Sequence, residues 1–122
     1  MSNRHLRVLF VWGMSLAPVL GAGPDEKALA DARGRIDAID TRIVSLLNER
    51  AKIVLEIGRI KQQMNMPVRA PRRVEEVLGK VAQQNQGPLT PQAVKRIYER
   101  IIVEMTALES AEMHKGPRSN PE

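Results

Sequence analysis

The stretch RIDAIDTRIVSLLNERAKIVLEIGRIK, Arg35 to Lys61, decides the fold. Ile36, Ile39, Ile43, Leu46, Leu47, Val54 and Ile57 recur at helical spacing and mark one apolar face, expected to be buried. Two cations stand inside that face. Arg50 and Lys61 are eleven residues apart, almost three whole turns, so they point the same way about 16 Å apart along the axis. Arg33 lies one turn before Ile36, at the edge of the same stripe. Burying a guanidinium and an ammonium costs several kcal/mol each unless anions satisfy them. Such a face expects an anionic guest or buried carboxylates.

Working outward, the helical pattern opens at Pro24-Asp25, where Asp25 is placed to cap the first amides, and closes at Met64-Asn65-Met66-Pro67. A helix of some forty residues would be about 60 Å long, twice the span of a small domain. A second helix is predicted from Pro71 to Gln84, with Val74, Val77, Leu78 and Val81 as its apolar face. Asn85-Gln86-Gly87-Pro88 reads as a loop. Thr90 then offers an N-cap and Pro91 a first-turn proline for a third helix reaching Met113. Its face is Val94, Ile97, Tyr98, Ile101, Ile102, Met105 and Leu108. The expected fold is therefore all-α, one long helix and two shorter ones. Those shorter helices offer too little apolar surface to cover the long one. An intertwined homodimer, two long helices pairing with the shorter ones wrapped around them, solves this. The stripe is wider than a two-position coiled-coil seam, which favours the compact dimer over an extended coiled coil.

Composition narrows the partners. The chain has 122 residues, a net charge of +5 and three aromatic residues. So mild a charge argues against nucleic acid, and a single-strand platform would need more stacking rings. Cysteine is absent, which excludes a disulfide framework, a thiol nucleophile and thiolate metal sites. Residues 1–23 read as a cleavable leader: Arg4, His5 and Arg7 precede the apolar run VLFVWGMSLAPVLGA (Val8 to Ala22), which ends in small residues. That run is short for a bilayer-spanning helix. The expectation is an exported protein, periplasmic or secreted, with no membrane attachment after cleavage. The body of the domain is expected over residues 24–113, and the polar stretch 114–122 as a disordered tail.

Familiar catalytic sets are missing from the sequence. His5 falls in the leader and His114 in the tail, so neither is a credible metal ligand or general base, and no metal is expected. Gly21-Ala22-Gly23 does not link a strand to a helix, so it is no phosphate loop. Asp37 and Asp40 lie on the edge of the first helix and read as solvated or salt-bridged. Glu109 is different, because it falls beside Met105 within the apolar arc of the third helix. It either pairs with Lys61 or is a neutral acid held by burial, and the sequence leaves both open. A set of arginines, one lysine and one glutamate, with no nucleophile, suits binding a dianion and stabilising charge during a rearrangement.

The pattern Arg33-x-x-Ile36-Asp37-x-Ile39-Asp40, then Leu46-Leu47-x-x-Arg50, Ile57-Gly58-x-x-Lys61, Pro67-Val68 and Arg73 resembles the all-α class of chorismate mutases. The likeness covers Leu29 to Glu109, and NQGPLTPQAVKRIYERII (Asn85 to Ile102) matches the start of that family's third helix. It implies an intertwined helical dimer, no cofactor, and conversion of the dicarboxylate chorismate to prephenate, an ether C–O bond breaking as a C–C bond forms within one molecule. By the resemblance, Arg50 and an Arg33 from the other subunit clamp the carboxylates, and Arg73, Ala70, Val74 and Met105 lie against the substrate. Lys61 contacts a carboxylate and the ether oxygen. Glu109 falls where family members donate to that same oxygen, which for Glu requires the protonated form. Two positions depart from the pattern: Val74 replaces an acidic residue that recognises the ring hydroxyl, and Ala70 replaces a common Asp. The run Ala70-Pro71-Arg72-Arg73-Val74 resembles instead the isochorismate pyruvate lyases of the same fold, which eliminate pyruvate. The spacing from Lys61 to Arg73 keeps the mutase length, so the mutase is the first reading and the lyase the second. A third is a non-catalytic helical interaction protein whose cations pair with Asp37, Glu49 or Glu56.

Overall fold

The computed structural model describes residues 23–116. The expected leader, except Gly23, and residues 117–122 of the expected tail lie outside the described residues. Three helices follow in order: α1 (Pro24–Gln63), α2 (Pro71–Gln84) and α3 (Pro91–Met113). By internal packing the chain forms two compact units, up to Thr41 and from Arg42 onward. The first carries the opening turns of α1, and the second carries the rest of α1 with α2 and α3.

Local chemistry accounts for the helix ends. Gly23 takes the cap position of α1, its carbonyl accepting from Lys27 N–H at 3.0 Å. Asp25 is therefore not the cap expected of it. It sits with Glu26 inside the first turn, where a carboxylate acts on the helix dipole. At the other end Asn65 adopts φ 54°, a left-handed conformation that Asn tolerates better than most residues. Met66 N–H bonds to Lys61 O at 2.8 Å and Asn65 N–H to Gln62 O at 3.3 Å, the paired bonds of a Schellman stop. Ala70 gives α2 no side-chain cap, and Pro71 fills the first turn. Thr90 caps α3 as its sequence implies, Oγ1 accepting from Ala93 N–H at 3.1 Å. Between them, Asn85 donates to Leu89 O at 2.6 Å and accepts from Gly87 N–H at 3.3 Å. α3 ends at Met113, where the sequence ends it, and His114 closes it with its backbone N–H bonded to Ser110 O at 3.1 Å.

In the second unit α2 packs on α3, and Val74, Val77, Leu78 and Val81 are all half-buried, as their spacing predicts. The C-terminal part of α1 meets the C-terminal part of α3 through polar contacts and one glycine. Gln62 Nε2 donates to Met113 O at 3.0 Å, and Arg59 Nε lies 3.4 Å from Glu112 Oε1. Gly58, buried, faces Glu109 and Met113.

The expected burial of the α1 stripe is not met within one chain. Ile36 and Ile39 of the first unit are about half exposed, as are Ile43, Leu46, Ile53, Ile57 and Ile60 of the second. Leu47 and Val54 are half-buried. No hydrophobic side chain among the described residues is fully buried. Within the second unit, Ile53 and Ile57 face the cavity described below rather than a packed neighbour.

Candidate active site

An open cavity of about 810 Å³ lies within the second unit. α1 supplies Arg50, Ile53, Val54, Ile57 and Lys61 to its wall, and the connection to α2 supplies Val68, Arg69 and Ala70. From α2 come Pro71, Arg73, Val74, Glu75 and Val77, and from α3 Ile102, Met105, Thr106 and Glu109. The wall is thus aliphatic, punctuated by cations. That suits a small organic anion with an apolar ring.

Lys61 is the best-anchored of those cations. Its Nζ donates to Val68 O at 2.9 Å and lies 2.7 Å from Glu109 Oε1. The Schellman stop explains the first bond: it turns the chain immediately after α1, bringing the following segment back over the lysine. Both side chains are largely enclosed, Lys61 at 15% exposure and Glu109 at 10%. Of the two readings left open for Glu109, pairing with Lys61 is the one the geometry adopts. The pair is close but not aligned, so Glu109 Oε1 is buried without a hydrogen-bond partner. At 2.7 Å the Coulombic attraction holds whatever the angle, while the capacity for a directed hydrogen bond remains unmet. An ammonium has three N–H groups, so Lys61 keeps a donor for a guest after serving Val68 and Glu109.

Arg50 is half-buried on the same wall and has no hydrogen bond or ion pair among the described residues. A guanidinium in that position without an anion is incomplete. Neither Arg50 nor Lys61 is paired with Asp37, Glu49 or Glu56, the partners the interaction-protein reading requires. Arg73 is exposed and reaches Glu76 at 3.4 Å, a surface contact that a stronger anion would outcompete. Ala70 and Val74 sit on the wall and offer no polar side-chain atom. Met105 lies one turn before Glu109, as its spacing implies.

Every expected site residue except Arg33 therefore lines one cavity. Arg33 belongs to the first unit and is exposed. Arg69, Glu75 and Thr106 line the cavity without having been singled out in the sequence. Thr106 could have been found, because it stands three residues before Glu109 and shares its helical face. Arg69 could not, since no periodicity runs through the α1–α2 connection. Among the described residues no group of three or more acidic or histidine side chains is placed to hold a metal, and no helix is long and apolar enough to cross a membrane.

Comparison with known proteins gives a consistent result. Residues 32–110 match the family model described as chorismate mutase type II. A bifunctional chorismate mutase/prephenate dehydratase of Aquifex aeolicus (strain VF5) is 41% identical over 85 residues, covering 66% of this chain and 24% of that protein. The chain thus spans about a quarter of the length of the first curated relatives it matches. Among solved structures, chorismate mutase from Helicobacter pylori in complex with prephenate superposes with a TM-score of 0.69 at 25% identity, covering 75% of this chain and 99% of that one. Chorismate mutase (form II) from Thermus thermophilus gives 0.67 at 29% identity, covering 68% and 94%.

Proposed function

The chain belongs to the chorismate mutase type II family, and from that premise we propose that it rearranges chorismate to prephenate in the cavity between α1, α2 and α3. The reaction is unimolecular. It needs a folded substrate and donors aimed at the ether oxygen, where negative charge builds as the C–O bond breaks, and it needs no proton shuttle or cofactor. Arg50 and Arg73 hold the substrate carboxylates, with Arg33 of a second copy as a further clamp. Lys61 directs its free N–H to the ether oxygen. Glu109 holds that ammonium in place from 2.7 Å. The observation that carries this reading is the half-buried Arg50 without an anion, on the same wall as the anchored Lys61–Glu109 pair.

The active species of this proposal is a homodimer. The half-exposed isoleucines of α1 are the surface a second copy would cover, and the same pairing would deliver Arg33. Residues 1–22 act in this reading as an export leader. N-terminal sequencing of the protein from its native source should then return a chain beginning near Gly23 from outside the cytoplasm; an intact leader on cytosolic protein would refute export.

Steady-state kinetics of native protein and Arg50→Ala with chorismate tests the site. Prephenate formation by the native chain, with kcat/KM lowered at least a hundredfold in the variant, supports the clamp. An unaffected variant would remove Arg50 from the site. A second reading, pyruvate elimination from isochorismate, is favoured by one observation: Ala70 and Val74 leave part of the wall without hydrogen-bonding side chains.

A further inference from the structure

Gly58 is the buried residue of α1, and it lies one turn before Lys61. A Cβ placed on it would stand 3.2 Å from Glu109 Cγ, closer than ordinary van der Waals contact. The next neighbours, Glu109 O at 3.6 Å and Met113 Cγ at 3.7 Å, would accept it without strain. The conflict is therefore with one atom, the methylene that carries the Glu109 carboxyl. Elsewhere in the helices the demand is absent: a Cβ on Gly34 or Gly79 would meet nothing within 4 Å. A helix-interior glycine is costly relative to alanine, so its presence at 58 calls for a local reason.

We infer that Gly58 is a positioning residue, its missing side chain setting where Glu109 holds its carboxyl against Lys61. Glu109 Cγ occupies the space a side chain at 58 would take, and from there Oε1 comes within 2.7 Å of Lys61 Nζ. A methyl group at 58 displaces that methylene by a few tenths of an ångström and carries the carboxyl with it. The substrate carboxylates are held by other residues, so the displacement is felt in the transition state rather than in ground-state binding. The inference rests on the mutase reading for its catalytic consequence, while the contact itself does not.

The test is a cycle of Gly58→Ala, Glu109→Ala and the double variant, with Gly79→Ala as the helix-glycine control. Since a misplacement of about 1 Å can cost a hundredfold in rate, Gly58→Ala should lose about tenfold in kcat with KM changed by less than about threefold. Gly79→Ala should leave both unchanged. In the Glu109→Ala background the clashing atom is gone, so adding Gly58→Ala should leave the residual rate alone and raise the melting temperature, as alanine does in an open helix position. The melting temperatures close the cycle even where the residual rate is too low to read. An unchanged kcat in Gly58→Ala, a rise in KM matching the fall in kcat/KM, or an equal loss in both backgrounds would overturn the inference. Absence of chorismate turnover in the native protein would fault the mutase reading instead, leaving the melting-temperature coupling to decide the contact.

Discussion

Replacing Lys61 with alanine removes three things at once, and their magnitudes separate. The first is a donor held in place by Val68 O at 2.9 Å; losing one preorganised donor at a developing oxyanion costs about 3 to 4 kcal/mol, a hundred- to thousandfold in kcat. The second is the partner of Glu109, whose carboxyl is only 10% exposed. Stripping one member of a buried pair costs about 3 to 5 kcal/mol of stability, and the openness of the cavity to water places the effect near the lower end. The third is the bond to Val68, a neutral-carbonyl contact worth about 1.5 to 3 kcal/mol with a charged donor. Lys61→Ala should therefore be both slow and less stable, and the two defects must be told apart. Adding Glu109→Gln removes the orphaned charge, so the double variant should regain much of the melting temperature while its turnover stays at least a hundredfold down. Chorismate consumption and thermal unfolding, measured on the same preparations, read the two quantities. Near-native turnover in a folded Lys61→Ala variant would refute the reasoning, and so would turnover that recovers in step with stability.

Three further outcomes are expected. Glu109→Gln alone, which keeps a side-chain oxygen within reach of Lys61, should keep most of the activity; an inactive variant would contradict this. Val74→Glu supplies a hydrogen-bond acceptor for a buried substrate hydroxyl, a contact worth about 1 to 3 kcal/mol when otherwise unmet, so chorismate kcat/KM should rise about five- to a hundredfold. Damage to pyruvate release from isochorismate, with chorismate turnover still poor, would instead favour the lyase. If the half-exposed α1 isoleucines are covered by a second copy, folding is linked to association, and each tenfold rise in protein concentration should raise the melting temperature by about 3 to 6 °C; a concentration-independent value with an active monomer in sedimentation would contradict the dimer.

The parts of this architecture that were legible in the sequence are those fixed by local chemistry. Pro71 and the Thr90-Pro91 pair begin α2 and α3 where the structure begins them, because caps and first-turn prolines act within four residues. Periodicity put Arg50 and Lys61 on one face of α1 and Glu109 on the apolar arc of α3, the resemblance implied that they share a site, and one cavity wall carries all three. Asn65 was placed at the end of α1, but its left-handed turn, which returns the chain over Lys61, depends on backbone bonds that no residue type dictates alone. Burial was not legible: the α1 stripe is apolar at helical spacing, yet whether it is covered depends on surface that one chain lacks. Gly58 entered the sequence reading only as part of the Ile57-Gly58-x-x-Lys61 pattern, and its contact with Glu109 exists only once α3 is packed against α1. Arg69 escaped notice for a related reason, since the connection that carries it is shaped by what it passes over.

The most direct test of the central claim is to give the purified protein chorismate and isochorismate in parallel and quantify prephenate and pyruvate. A mutase site built on Arg50, Lys61 and Glu109 predicts rapid prephenate formation from chorismate and little pyruvate from isochorismate. Rapid pyruvate release with only slow prephenate formation, or no turnover of either compound, would contradict it.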